Sequence, residues 1–181
     1  MMKKRELLKI LKKSIKLFYE LDSYLIGNNH KVHEQAIAHR IAHYFENICS
    51  LYNPAFYKTY NFDVEYNKNF RDSKYIFFKC FQCDKKECSC TNYKEPKESR
   101  PDFLVHKRGS NEQNELIVEF KTGSPKKKDI EYDINKLKYF TCSLGVYKYS
   151  LGCFVSLGEN RYKIEIFEKS KKVSSKYYDE M

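Results

Sequence analysis

Two short stretches carry the residue types best suited to chemistry: Pro101-Asp102, and Glu119-Phe120-Lys121 at the end of the apolar run LIVEFKT, with sixteen residues between Asp102 and Glu119. An acid and a lysine two apart on a strand project from the same face. The run is otherwise Leu116, Ile117, Val118 and Phe120, apolar on both faces, as in a buried central strand. Charge in such a place is expensive unless it is paired or bound to a metal. Asp102 opens one strand and Glu119 closes the next, so an antiparallel hairpin can set them side by side. Two carboxylates with the Phe120 carbonyl make a hard oxygen site suited to Mg²⁺ or Mn²⁺ with waters retained. Lys121 could then orient or deprotonate an attacking water, or stabilise a crowded phosphate. The plainer reading is a structural ion pair of Lys121 with Glu119 or Asp102 at a sheet edge.

A third acid follows from periodicity. The second helical segment has the apolar stripe Ile37, Ile41, Tyr44, Phe45 and Ile48, and at about 100° per residue Glu34 falls within it. An acid in line with a core stripe needs a partner, which the metal site supplies; otherwise it is a first-turn acid favoured by the helix dipole and reaching water. Asp63 and Glu65 alternate along FDVEYN, as a second pair of acids or as a solvated strand face. His106 shares a strand face with Asp102, and with Arg108 it either contacts phosphate or forms polar surface. Arg40 and the run Lys126-Lys127-Lys128 are placed to hold nucleic-acid backbone, a contact that makes binding salt-dependent. Lys136 either joins them or forms a surface pair with Asp133, one helical turn away, worth about 0.2–0.5 kcal/mol. His39 and His43 read as surface, and His33-Glu34 does not begin a zinc-protease HExxH pair because position 37 is Ile37.

The elements that must position these groups follow from the same periodicities. Helices are expected at about 4–26 and 31–48, separated by Gly27-Asn28-Asn29. A strand at 62–66, strands at 101–106 and 115–121, a helix at about 129–142 and strands at about 151–157 and 162–168 follow, and a charged tail ends the chain. A hairpin bracketed by helices implies an α/β sandwich with a mixed sheet. The 181 residues fit one domain, with an N-terminal helix at about 1–28 and a cysteine-rich insertion at about 78–95. The lysine-rich N-terminus has helical periodicity without a continuous apolar stretch, which excludes a signal peptide and a membrane span. A soluble, cytoplasmic protein without a membrane partner is expected. With 34 Lys and Arg against 24 Asp and Glu, the formal charge of +10 favours a polyanionic partner, although a lysine-rich, AT-biased proteome gives the same balance.

In a cytoplasmic chain, cysteines are thiols or metal ligands. Cys80, Cys83, Cys88 and Cys90 give C-x2-C-x4-C-x-C within eleven residues, enough for a closed tetrahedral Zn²⁺ shell that would tie down a segment with little core of its own. The alternative is free thiols in a flexible insertion. Cys49, Cys142 and Cys153 lie in apolar contexts and read as small core residues.

Glu34 on a helix, then Pro101-Asp102, then Glu119-Phe120-Lys121, resembles the PD-(D/E)xK nuclease superfamily. Five segments in order, HEQAIAHRIAHYFE, FDVEYNKN, RPDFLVHKRG, LIVEFKT and DINKLKYF, are similar to a group of small bacterial proteins of unsettled role. The resemblance spans roughly residues 30–168. It implies a restriction-endonuclease-like αβββαβ core, with Asp102 and Glu119 as ligands of Mg²⁺, Lys121 as the catalytic lysine and Glu34 as the helical acid. The expected activity is metal-dependent hydrolysis of DNA phosphodiester bonds, in restriction, defence or repair, with a homodimer as the simplest arrangement for a double-strand cut. Two other readings stand beside it. One is a catalytically inactive zinc-containing protein that binds nucleic acid through a nuclease-like fold; the other is a protein-interaction adaptor whose charge reflects genome bias.

Overall fold

A computed structural model describes residues 2–26, 33–70, 72–76 and 97–179. The four cysteines of the expected zinc cluster and the Gly27-Asn28-Asn29 turn lie outside the described residues. In chain order the elements are α1 (Lys4–Asp22), a 3₁₀ turn (Ser23–Ile26), α2 (Glu34–Tyr52), α3 (Pro54–Thr59), β1 (Asn61–Val64), β2 (Lys68–Asn69), β3 (Asp72–Ser73), β4 (Tyr75–Ile76), β5 (Lys97–Glu98), β6 (Phe103–His106), β7 (Asn114–Thr122), α4 (Lys127–Phe140), β8 (Leu151–Leu157), β9 (Arg161–Glu168) and β10 (Lys171–Asp179).

The protein is mixed α/β. Six strands form one sheet in the order β1-β6-β7-β8-β9-β10. The β7–β8 pair is parallel and every other neighbour in that sheet is antiparallel. A parallel pair needs a crossover, and α4 supplies it, lying against β7, β8 and the near side of β9. Helices α1 and α2 cover the other face. There Leu7, Leu11, Ile15 and Phe18 of α1 and Ile37, Ile41 and Phe45 of α2 enclose Val118, Phe120, Cys153, Val155 and Ile164. The smaller core under α4 holds Leu104, Ile117, Leu137, Phe140, Tyr149, Phe154 and Phe167. Leu116, Val118 and Phe120 thus face one layer and Ile117 and Glu119 the other, which is why the run reads apolar throughout.

The close seat of α4 depends on Gly152. A Cβ there would stand 2.9 Å from Cγ2 of Thr141 and 3.5 Å from a methyl of Leu137. The residue acts here by leaving room, since its φ is not in the left-handed region.

Several expectations need correction. A short helix, α3, precedes β1; Pro54 at its first turn and the Asn53 side chain, which accepts from the Phe56 N–H at 3.0 Å, start it. The charged tail is strand β10, paired along its length with β9. Lysines hid it, because an edge strand is exposed on most of its residues and tolerates charge there. Cys49 and Cys153 are buried and Cys142 half-buried, as core thiols should be. Among the described residues no helix is long and apolar enough to cross a membrane.

Candidate active site

The register of the β6–β7 hairpin pairs Phe103 with Val118, so Asp102, one residue before β6, stands beside Glu119. Its Oδ2 accepts a hydrogen bond from the Phe120 N–H at 2.7 Å. Burial pushes the Asp102 carboxyl up to about 6, and the nearby Lys136, the Phe120 N–H and Lys121 only partly offset it. Glu119 is 1% exposed, and burial raises it well above the carboxylate range. Its Oε2 accepts from Lys136 Nζ at 2.7 Å.

Lys121, at the C-terminal end of β7, donates to Glu34 Oε1 at 2.6 Å and to the Phe120 carbonyl at 3.0 Å, and pairs with Asp133 Oδ2 at 2.9 Å. Burial disfavours its ammonium, but Glu34 and Asp133 outweigh that and hold the amine protonated. Glu34, the first residue of α2, uses its other oxygen to accept from the Thr122 N–H at 3.2 Å. It ties the start of that helix to the end of β7. The partners of Glu34 here are Lys121 and the Thr122 backbone, and its side chain stays partly exposed.

Asp133 and Lys136 correct the expectation of a surface pair: both are buried. Lys136 Nζ lies 3.1 Å from Asp133 Oδ1 as well as 2.7 Å from Glu119. Burial works against the Lys136 ammonium, and the carboxylates of Glu119 and Asp133 overcome it. Asp133 therefore bridges the two lysines. The signal was present in the sequence, since positions 133 and 136 share one helical stripe with Leu137 and Phe140. Like Glu34, both are charges set among core positions of a helix.

The cluster has a charge imbalance. Glu34, Glu119 and Asp133 pair with two ammonium groups, and Asp102 lies within their electrostatic reach, which leaves two negative charges uncompensated when all four acids are ionised. Glu119 Oε1 is buried with no hydrogen-bond partner. Glu115, on the same strand and also buried, is the control: its Oε1 accepts from Tyr60 at 2.9 Å and its Oε2 from Ser150 at 3.2 Å. Both oxygens of Glu115 are taken, whereas Glu119 Oε1 is not. Among the described residues no group of three or more His, Cys, Asp or Glu forms a metal cage. Magnesium typically takes one or two carboxylates and completes its shell with waters and substrate phosphates, so the donor set of Asp102 and Glu119 fits that ion.

Other candidates are placed elsewhere or engaged. Asp63 is consumed by His106, at 2.8 Å, and by a two-pronged contact from Arg108. Burial opposes its ionisation, but those partners hold its carboxyl at about 2. His106 is buried, not surface, and burial pushes its imidazole below the ordinary value. Glu65 borders the site through its backbone, donating its N–H to the Asp102 carbonyl at 3.3 Å. Arg40 pairs with Asp22 at 2.8 Å and donates to Tyr44 at 2.8 Å. Lys126, Lys127 and Lys128 are exposed at the start of α4, one turn of chain beyond Lys121. His39 and His43 are exposed, as expected.

No protein-family model, no curated protein and no solved structure matches this chain.

Proposed function

We propose that the protein is a metal-dependent phosphodiester hydrolase acting on nucleic acid, with DNA the expected substrate, of the kind that the resemblance to the PD-(D/E)xK superfamily implies. The observation that carries this reading is the orphaned Glu119 Oε1 beside Asp102, in a cluster that is two positive charges short when all four acids are ionised. Asp102 and Glu119 would hold Mg²⁺ or Mn²⁺, with the Phe120 carbonyl able to join them if Lys121 releases it. Such a cation neutralises the developing charge on a phosphate and makes water a better nucleophile at neutral pH. Lys121, kept protonated by Glu34 and Asp133, is suited to stabilise phosphate oxygens and to orient a water. Lys136 holds Glu119 in place and shields it from Asp133. Lys126, Lys127 and Lys128 are free at their tips to meet backbone phosphates, and Lys127 has no more than a long 3.9 Å contact with Glu131.

The cysteines at 80, 83, 88 and 90 extend the proposal to a structural zinc ion. A dimer for double-strand cutting and a role in defence or repair belong to the same reading. Its rival is a nucleic-acid-binding protein that has kept the fold without the reaction. The test is cleavage of plasmid and oligonucleotide substrates, DNA and RNA, with Mg²⁺, Mn²⁺ or EDTA, beside Asp102→Ala and Lys121→Ala. Cleavage that needs the metal and fails in both variants supports the hydrolase. Binding without cleavage under every condition selects the rival, and cleavage that survives Asp102→Ala refutes the site. Metal analysis of the purified protein tests zinc separately; much less than one equivalent in a folded sample excludes it.

A further inference from the structure

The register of the sheet lays a row of side chains from the candidate site to its far edge. Lys121 on β7 pairs with Ser156 on β8, Ser156 with Lys163 on β9, and Lys163 with Tyr177 on β10. Paired residues share a face of the sheet, so all four lie on the side that carries α4. That helix covers β7, β8 and the near side of β9. The row spans three strand spacings, about 14 Å.

Tyr177 ends the row with 63% of its surface exposed. Lys163 Nζ stands 5.4 Å and the Arg161 guanidinium 5.5 Å from the ring centre. Its neighbour Tyr178, on the opposite face, shows the ordinary fate of a tyrosine here. It stacks on Tyr162 with ring centres 5.0 Å apart. An edge strand protected against aggregation presents charge; β10 does so with Lys171, Lys172 and Lys176, while Tyr177 adds a largely exposed ring set against the Arg161 and Lys163 cations. On the same face Arg161, Lys163 and Lys172 outnumber Glu165 and Asp179. Glu165 is already engaged by Lys163 at 3.0 Å, Lys172 at 3.1 Å and Ser175 at 3.3 Å.

We propose that the β9–β10 face is a binding platform for single-stranded nucleic acid, with a base stacked on Tyr177 and the backbone running past Lys163 along the end of the sheet that holds Ser156 and Lys121, beside the start of α4. An exposed aromatic ring flanked by cations suits an unpaired base, whose face is open, whereas a duplex buries its base faces. This deepens the proposed hydrolase by naming its substrate as a single strand, or a duplex end that has opened.

The test is fluorescence anisotropy with the full chain in EDTA, using labelled single-stranded DNA, single-stranded RNA and blunt duplex DNA. Tyr177→Ala is expected to weaken single-strand binding by about tenfold, within the roughly 5- to 150-fold that loss of one stacked base implies, and to leave duplex binding within about twofold. Tyr177→Phe should keep wild-type affinity, because stacking needs the ring and not the hydroxyl. Lys163→Ala should lower the salt slope by about one. Single-strand binding by Tyr177→Ala within twofold of wild type, or equal losses on strand and duplex, overturns the platform. If the platform behaves as expected and the wild type never cleaves with Mg²⁺ or Mn²⁺, the hydrolase reading falls and the platform stands. Metal-dependent cleavage with single-strand binding untouched by Tyr177→Ala does the reverse. A wild type that binds no nucleic acid overturns both.

Discussion

Asp102→Asn should stabilise the protein at neutral pH while abolishing any metal-dependent activity. The amide oxygen of the new side chain can still accept from the Phe120 N–H, now 2.7 Å from Asp102 Oδ2, so the change removes a charge and little else. Burial lifts the Asp102 carboxyl from 3.8 to about 6. A shift of about two, at 1.36 kcal/mol each, makes the ionised carboxylate cost up to about 3 kcal/mol of stability above pH 7. The sign is fixed by proton counting. Between pH 4 and 6 the folded chain holds this proton more tightly than the unfolded chain, so stability falls as pH rises through that window. The gain from Asp102→Asn should therefore be near zero at pH 4 and reach about 1–3 kcal/mol at pH 7.5, read from urea unfolding in EDTA. Mn²⁺ should then restore the wild type and not the variant, by about 1.4 kcal/mol at ten times the dissociation constant. A variant less stable than wild type at pH 7.5, or a difference that does not change between pH 4 and 7.5, would show that the buried Asp102 charge carries no such cost. Equal stabilisation of both proteins by Mn²⁺ would place the ion away from Asp102.

Three further outcomes test the surrounding structure. Lys136→Met should cost about 3–5 kcal/mol, since it strips a buried carboxylate of its counter-ion. Adding Glu119→Leu should recover at least about 2 kcal/mol of that in a double-mutant cycle by chemical denaturation, and a coupling below about 0.5 kcal/mol would mean the pair is not the buried bridge described. Gly152→Ala should destabilise by about 1–3 kcal/mol through overpacking against Thr141; an unchanged denaturation midpoint would show that α4 can move away. Asp63, held at about 2 by His106 and Arg108, contributes stability that is present above its ordinary 3.8 and lost as pH falls through 2. Asp63→Asn should flatten the pH dependence of unfolding between pH 4 and 2, and an unchanged slope there would count against the cluster.

Local pattern made much of this chain legible. Short apolar runs bounded by polar turns placed β6, β7, β8 and β9, and the 3.6-residue stripe placed α1, α2 and α4, because burial writes the length and period of an element into the sequence. The same logic singled out Asp102, Glu119, Lys121 and Glu34 as charges standing where oil was expected. What it could not supply was partnership. Whether Lys121 turns to Glu119 or to Glu34, whether Asp133 and Lys136 point inward, and that Asp63 belongs to His106 and Arg108 are decided by how α2, α4 and β1 pack around the end of β7. Strand β10 was invisible for a related reason, since its place depends on hydrogen bonding to β9 and not on burial of its own side chains. The sequence alone determined which groups were costly to bury; the tertiary structure decided which of those costs are offset, and left that of Glu119 Oε1 open.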